Sequence, residues 1–435
     1  MVTAKENTTE HFDNILVRIN EAGRILNLPD WQIKVLRAFK SKWDGDLLLT
    51  KDDGTLEIYN ACRVWHKSPH TDKPHKGGNR YHPLVSIDMM KAHAIEMSIK
   101  LWLMGIPMGG AKGGIAVDPA TLSRAELKRL TELYVEALIE RNLIGPLLDV
   151  PAPDVGTNSE IMNWVRQCYA LEKRELGYEP FAGVVTGKPV GYGFDGIEGR
   201  TEATGYGVIE VLEHLVKRYF GKVGRPRIAV MGYGNVGFFT VEKANVRHYP
   251  IIGVSDRGGG VYNSKGLNIT ELNEHFREAK TVAGFRGGDA ITSEELLVLQ
   301  DIDWLIPAAL EHVLTVKNAS RVGAKIVGEG GNSTTTPGAD EIFKERGIIV
   351  APDVCTNAKG VTISFFEWAR NLNICDERIP TSEKRAVLAA ATKIILRATD
   401  EMCANAEKYQ TTLRNAAFVT AINRVAPLLT PKYAA

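Results

Sequence analysis

The chain has 435 residues, 44% hydrophobic and 24% charged, a composition suited to a globular protein of two or three domains. Fifty-three Lys and Arg against 52 Asp and Glu leave a net charge of +1, so the balance favours neither nucleic acid nor an anionic membrane as partner. Five scattered cysteines, Cys62, Cys168, Cys355, Cys375 and Cys403, contain no Cys-x-x-Cys pair, which argues against a disulfide frame or a cysteine zinc site. We therefore expect reduced thiols, no metal and a cytoplasmic setting. Residues 1–14 have no apolar core and predict no secretory or transit signal, and no apolar run approaches membrane-spanning length.

Residues 11–39 carry helical apolar spacing that Pro29 divides into two helices. A strand is expected over 58–66, leading into a loop that holds Lys76 in Lys-Gly-Gly-Asn-Arg-Tyr-His-Pro. Residues 86–104 predict a helix: Ser86 can cap it, Asp88 suits its first turn, and Ile87, Met90, Ala94, Met97 and Leu101 form an apolar face. Lys100 falls on that face, where an ammonium either snorkels or meets an anion. Residues 107–115, Pro-Met-Gly-Gly-Ala-Lys-Gly-Gly-Ile, suit neither helix nor strand and predict a loop that presents Lys112. A strand is possible over 115–117, and Ser123 with Glu126 opens a capping-box helix. A loop is expected over 149–157, where Pro151, Pro153 and Gly156 strand Asp154. That carboxylate either caps the helix starting near Ser159 or serves the lysines as ion partner and proton carrier.

From Arg200 the pattern changes. An amphipathic helix is expected over 204–220, ended by Gly221, and then a short apolar strand over 227–231. Gly232-Tyr233-Gly234-Asn235-Val236-Gly237 follows at once, then a helix to about His248 and a strand over 251–255 ending on Asp256. Strand, glycine turn, helix and a following acidic residue make the context of a dinucleotide fingerprint. Asn268 with Glu271 starts another helix, and buried strands are expected over 304–306, 325–328 and 348–351, which together predict a doubly wound parallel sheet. Residues 382–418 are expected to be helical throughout.

Taken together, several blocks resemble the glutamate dehydrogenases of the Glu/Leu/Phe/Val amino-acid dehydrogenase family. They are Lys76-Gly77-Gly78 with Arg80-Tyr81-His82-Pro83, Lys100, the glycine-framed Lys112, and Asp149-Val150-Pro151-Ala152-Pro153-Asp154. Thr186-Gly187-Lys188-Pro189, Arg200-Thr201-Glu202-Ala203-Thr204-Gly205, Pro307-Ala308-Ala309-Leu310-Glu311 and residues 357–364 continue the likeness in order. The resemblance implies an α/β protein with two domains around a cleft. An N-terminal α/β substrate and assembly domain would span 1–194, with a C-terminal helix, 408–435, returning to it. A Rossmann-like dinucleotide-binding domain would span 195–407.

It further implies reversible NAD(P)-dependent oxidative deamination of L-glutamate to 2-oxoglutarate and ammonium by a homohexamer, with no nucleic-acid or membrane partner. Lys112 and Asp154 would be catalytic; Lys100 would hold the α-carboxylate, and Lys76 with Ser364 the distal one. Thr204, Gly232, Gly234, Asn235, Val236, Gly237, Asp256, Arg257 and Asn332 would bind NAD or NADP. Asp256 favours ribose hydroxyls and Arg257 a 2′-phosphate, so the preference is open. The alternatives are a dehydrogenase of another L-amino acid and a non-catalytic nucleotide-binding regulator on the same fold. The chain departs from the family pattern at Asn79, usually apolar, at Pro74-His75, at Asn332-Ser333-Thr334, and at Lys359, usually glycine, whose charge is expected near nucleotide or substrate.

Overall fold

A computed structural model describes residues 4–174, 181–191, 193 and 195–431, with side chains from residue 11. The boundary expected at residue 194 and the last residues of the returning helix, 432–435, lie outside them. The chain divides into two compact units. One comprises Met1–Glu198, Val361–Ala390 and Phe418–Ala435; the other comprises Gly199–Gly360 and Ala391–Ala417.

The first unit opens with α1 (Ala4–Ile25) and α2 (Asp30–Leu36), Pro29 standing at the N-cap of the second. There follow β1 (Phe39–Thr50), β2 (Leu56–His66), β3 (His75–Tyr81), α3 (Ile87–Leu103), β4 (Gly109–Ile115), α4 (Arg124–Glu140), β5 (Asp149–Pro153) and α5 (Ser159–Glu172). The five strands form one sheet in the order β1-β2-β4-β3-β5, in which β3 runs parallel to both β4 and β5. Ser86 caps α3 by accepting from the Met89 amide, and Ser123 with Glu126 completes the capping box of α4. Ile115, Tyr134, Leu138, Met162 and Val165 belong to the core under the sheet.

Three expected loops are strands. All of 107–115 but its first two residues forms β4, Lys76 stands on β3 instead of a loop, and most of 149–157 forms β5. In β4 the glycines act as spacers. A Cβ on Gly110 would lie 2.2 Å from the Ala94 carbonyl oxygen of α3, and one on Gly113 2.4 Å from the Cys62 carbonyl oxygen. Helix and neighbouring strand therefore pack on bare backbone. Pro151 and Pro153 are tolerated because β5 is the sheet edge, where a missing N–H leaves no inner ladder partner unmet. The strand β1 is absent from the expectations above, although it alternates residue by residue between half-buried and exposed positions.

The second unit runs α6 (Arg200–Phe220), β6 (Ile228–Met231), α7 (Asn235–Val246), β7 (Ile251–Asp256), β8 (Gly259–Tyr262), α8 (Ile269–Ala279), β9 (Asp289–Ile291), α9 (Ser293–Leu297), β10 (Trp304–Pro307), β11 (Ile326–Gly328), α10 (Pro337–Glu345), β12 (Ile349–Ala351) and α11 (Asp353–Thr356). Its sheet order is β12-β11-β10-β6-β7-β8-β9. The run from β12 to β7 is parallel, as expected, but β8 and β9 add an antiparallel edge. The closing helices α12 (Lys359–Asn371), α13 (Lys384–Tyr409) and α14 (Leu413–Val425) each begin in one unit and end in the other. The expected continuous helix over 382–418 is broken at Gln410, whose φ of 49° ends α13.

Candidate active site

In the first unit, β4 presents Lys112, and Asp154 follows directly on β5. The Lys112 Nζ donates to Asp154 Oδ1 at 2.7 Å, and the Nε of Arg80, at the end of β3, donates to Asp154 Oδ2 at 2.7 Å. All three side chains are nearly sealed from solvent, at 4%, 13% and 5% exposure for Lys112, Asp154 and Arg80. A Cβ on Gly78 would lie 2.7 Å from the Asp154 Cβ, so the glycine makes room for this carboxylate. The Asp154 amide donates to Thr157 Oγ1, which in turn donates to the Asn79 carbonyl, and this fixes the turn after β5.

Burial is the largest influence on Lys112. Together with the charges of Arg80 and Lys100 it overcomes the opposing pull of Asp154 and lowers the pKa of the amine. For Asp154 burial works upward, but the Lys112 and Arg80 cations outweigh it and hold the carboxyl far below its usual range. The result is an ionised carboxylate beside an amine that sheds its proton more readily than a free lysine. Asp154 does not cap the next helix: that is Asn158, whose side chain accepts from the Ile161 amide.

Lys76 is 1% exposed and donates to Thr186 Oγ1. The turn carrying Thr186 is held by Glu367 of α12, which accepts from the amides of Gly187 and Lys188 and pairs with Lys188 Nζ at 2.7 Å. Ser364 lies one turn before Glu367 on the same helix and is buried at 5% exposure. Lys100, in the last turn of α3, is buried too, and its charge reaches Lys112. The structure thus joins Lys112 to Asp154 directly, Lys100 to them electrostatically, and Lys76 to Thr186.

Three residues with no role in the sequence reading belong here. Arg80 and Thr186 stand inside the quoted motifs, so their spacing was visible while their partners were not. Arg63 of β2 is fully buried and forms a bidentate pair with Asp149, both contacts at 2.7 Å. Its remaining donors meet the carbonyls of Gly77 and Gly78 and the side chain of Asn79. The polar Asn79 is explained by this guanidinium, and β3 is clamped between Lys76 and Arg80.

In the second unit, Gly232 has φ of 101°, open to glycine alone at no strain, and a Cβ on Gly237 would lie 1.8 Å from the Gly232 carbonyl oxygen. Gly234 stands at the N-cap of α7 without a side-chain cap, and a Cβ there would meet nothing within 4 Å. A tight turn, a bare approach and an uncapped helix amino end fit a pyrophosphate. Asn235 donates to the Thr201 carbonyl, Val236 packs against Gly330, and Asn357 donates to Asn332 Oδ1 at 2.9 Å. The Thr204 hydroxyl lies 2.5 Å from where a Gly360 Cβ would stand.

Asp256, at the end of β7, accepts from the Gly258 amide, the Thr281 hydroxyl and the Val282 amide. Its orientation is therefore set from within the chain, with about one of the four acceptor positions of a carboxylate left over. Arg257 is exposed. Lys359 does not lend its charge to a ligand as expected. It is 1% exposed and pairs with Glu210 of α6 at 2.7 Å.

Residues 195–430 match the Glutamate/Leucine/Phenylalanine/Valine dehydrogenase family, and residues 45–171 its Glu/Leu/Phe/Val dehydrogenase dimerisation domain. The glutamate dehydrogenase of Thermotoga maritima is 40% identical over 95% of this chain and 96% of its own. The NAD-specific glutamate dehydrogenase of Peptoniphilus asaccharolyticus is 39% identical over 86% of each chain, and the NADP-specific enzyme of Synechocystis 35% identical over 95% of each. Among solved structures, a hetero-hexameric glutamate dehydrogenase from Thermus thermophilus superposes with a TM-score of 0.87 at 30% identity, covering 96% of both chains. With matches of this extent joined to the lysine and glycine motifs above, the chain belongs to the Glutamate/Leucine/Phenylalanine/Valine dehydrogenase family.

Proposed function

We propose that this protein is a glutamate dehydrogenase, which oxidises L-glutamate with NAD(P)⁺ and water to 2-oxoglutarate, ammonium and NAD(P)H. The observation that carries the reading is the buried trio of Lys112, Asp154 and Arg80, with its lowered lysine pKa. A nicotinamide nucleotide held at the Gly232–Gly237 turn and Asp256 would supply the hydride acceptor. This chain's residues then handle charge and protons. Neutral Lys112 takes a proton from the water that attacks the imine carbon, and Asp154 exchanges protons with the substrate nitrogen, so that ammonia leaves protonated. Lys100 holds the α-carboxylate.

Lys76 decides the substrate. A buried ammonium donating to Thr186, near the helix that carries Ser364, suits the distal carboxylate of glutamate. An apolar side chain in its place would offer that buried cation no carboxylate. The test is reduced-nicotinamide absorbance with glutamate, leucine or phenylalanine and each cofactor. Glutamate is expected to support turnover at least about a hundredfold above the others. No turnover with glutamate, or faster turnover with leucine, overturns the assignment.

We also infer a homohexamer working in the cytoplasm. The Thermus thermophilus relative is a hexamer of mixed chains, and no helix among the described residues is long and apolar enough to cross a membrane. Light scattering of the purified protein checks the assembly: a monomer would refute it.

A further inference from the structure

Behind the lysine site, α1 and α3 are joined by a buried group that the reaction does not use. His11 of α1 faces His93 and Glu96, one turn apart on α3, and their side chains are 8%, 3% and 7% exposed. One coordinating atom from each lies within 4.8 Å of the others. We propose that His11, His93 and Glu96 form a binding site for a divalent transition-metal ion of the zinc class, tying α1 to α3.

The geometry supports this quantitatively. Two imidazoles on one tetrahedral ion, with bonds of about 2.1 Å, place their ring centroids about 5.2 Å apart. The His11 and His93 centroids are 5.3 Å apart, with the ring planes inclined at 54°. Neighbouring donor atoms on such an ion stand roughly 3.4 Å apart. His11 Nε2 lies 3.3 Å from Glu96 Oε1, close to that spacing, whereas His93 Nδ1 meets the other carboxylate oxygen, Oε2, at 2.8 Å, so the carboxylate has to turn for both imidazoles to share an ion with one of its oxygens. Two imidazoles and a carboxylate are also a donor set that zinc accepts when water fills the fourth position.

The protonation states agree. Burial works to raise the Glu96 pKa, yet His11 and His93 hold it well below its ordinary value, so the carboxylate is ionised. Burial lowers the His93 pKa, and the Arg80 and Lys112 cations add to this against the pull of Glu96. Neutral imidazole and ionised carboxylate are the ligating forms. No Cys-x-x-Cys or His-rich tract announces the site, since one ligand comes from the first helix and two from a helix beyond the third strand.

Cobalt(II) titration of the chelator-treated full chain tests the proposal. We expect saturable uptake of one ion per chain with the visible bands of tetrahedral coordination, displaced by zinc, and a melting temperature that rises with zinc. His11→Ala and Glu96→Gln should each weaken binding by more than about tenfold, since even loss of an outer-shell partner costs that much. Cys375→Ser, which removes the exposed thiol, should leave it intact. Absence of saturable binding, or equal affinity in both ligand variants, overturns the site. If Glu96→Gln does not fold, His11→Ala alone decides.

Discussion

Two glycine-rich stretches frame the proposed site, and they use glycine for different reasons. In β4, Gly110 and Gly113 lie inside a buried strand, where a Cβ would strike backbone atoms of α3 and β2. In the turn before α7, Gly232 supplies a positive φ and Gly234 leaves open space at a helix end. The first group removes side chains so that protein can pack on protein; the second leaves room for a ligand. A strand packed from both faces holds Lys112 rigidly, which suits a base that must meet one proton. An uncapped helix end suits a pyrophosphate that arrives and leaves.

The largest effect should come from Lys112. If it is the base, Lys112→Ala should lower turnover by about 10²- to 10⁴-fold while dinucleotide titration stays unchanged, because the Gly232 turn belongs to the other unit. Lys112→Arg should fail as well, since a guanidinium does not release its proton near neutral pH. Substantial turnover in folded Lys112→Arg would move the base elsewhere.

Next in size is the double variant Lys76→Leu with Ser364→Val. It removes the cation that now donates to Thr186 and should cut glutamate kcat/KM by at least about a hundredfold. Unchanged glutamate kinetics would separate Lys76 from substrate choice.

A pair of alanine substitutions addresses the two glycine uses directly. Gly110→Ala places a Cβ 2.2 Å from the Ala94 oxygen and 2.3 Å from the Ser98 nitrogen, both backbone, and should destabilise the fold by about 1–3 kcal/mol or more in denaturant melts. Gly234→Ala meets no neighbour at φ of −73°, so stability should stay level or rise by about 0.4–1 kcal/mol. Dinucleotide affinity should nevertheless fall by about tenfold, or about 1.4 kcal/mol. If Gly110→Ala melts as the parent does, the spacer account of β4 fails.

The sequence revealed the second unit more fully than the first. There the apolar strands over 228–231, 251–256 and 304–307 announce themselves by composition, and Asn268 caps α8 as its spacing to Glu271 suggests. In the first unit β3, β4 and β5 are built from Lys, Gly, Asn, Asp and Pro, and no hydrophobic period marks them. Their stability comes from close backbone packing and from Arg63 of β2, whose partners lie on two other strands, β3 and β5. Side-chain pattern carries little of that. The sequence left Asp154 open between a helix cap and a partner of the lysines, and the 2.7 Å contact with Lys112 decides between them. Arg80 was not legible, since its role depends on one contact with Asp154. Lys359 misled because a departure from a glycine looks functional until its buried partner Glu210 is seen.

The smallest predicted change is a shift in pH dependence. Asp154 at 2.7 Å stabilises the ammonium form of Lys112, while burial, Arg80 and Lys100 work the other way. Asp154→Asn removes the one influence that raises the lysine pKa. The neutral amine should then persist to lower pH, and the acid limb of kcat/KM in this slow variant should move toward lower pH than in the parent. Stability gives a second readout. The folded-state pKa of Asp154 lies below its unfolded value, so its contribution is present above about 3.9 and is lost as pH falls below it. The difference in melting temperature between parent and Asp154→Asn should therefore be full near neutrality and shrink as pH drops through 4. An acid limb that stays where it is in the parent would mean that Asp154 acts on the substrate alone and not on the charge of Lys112.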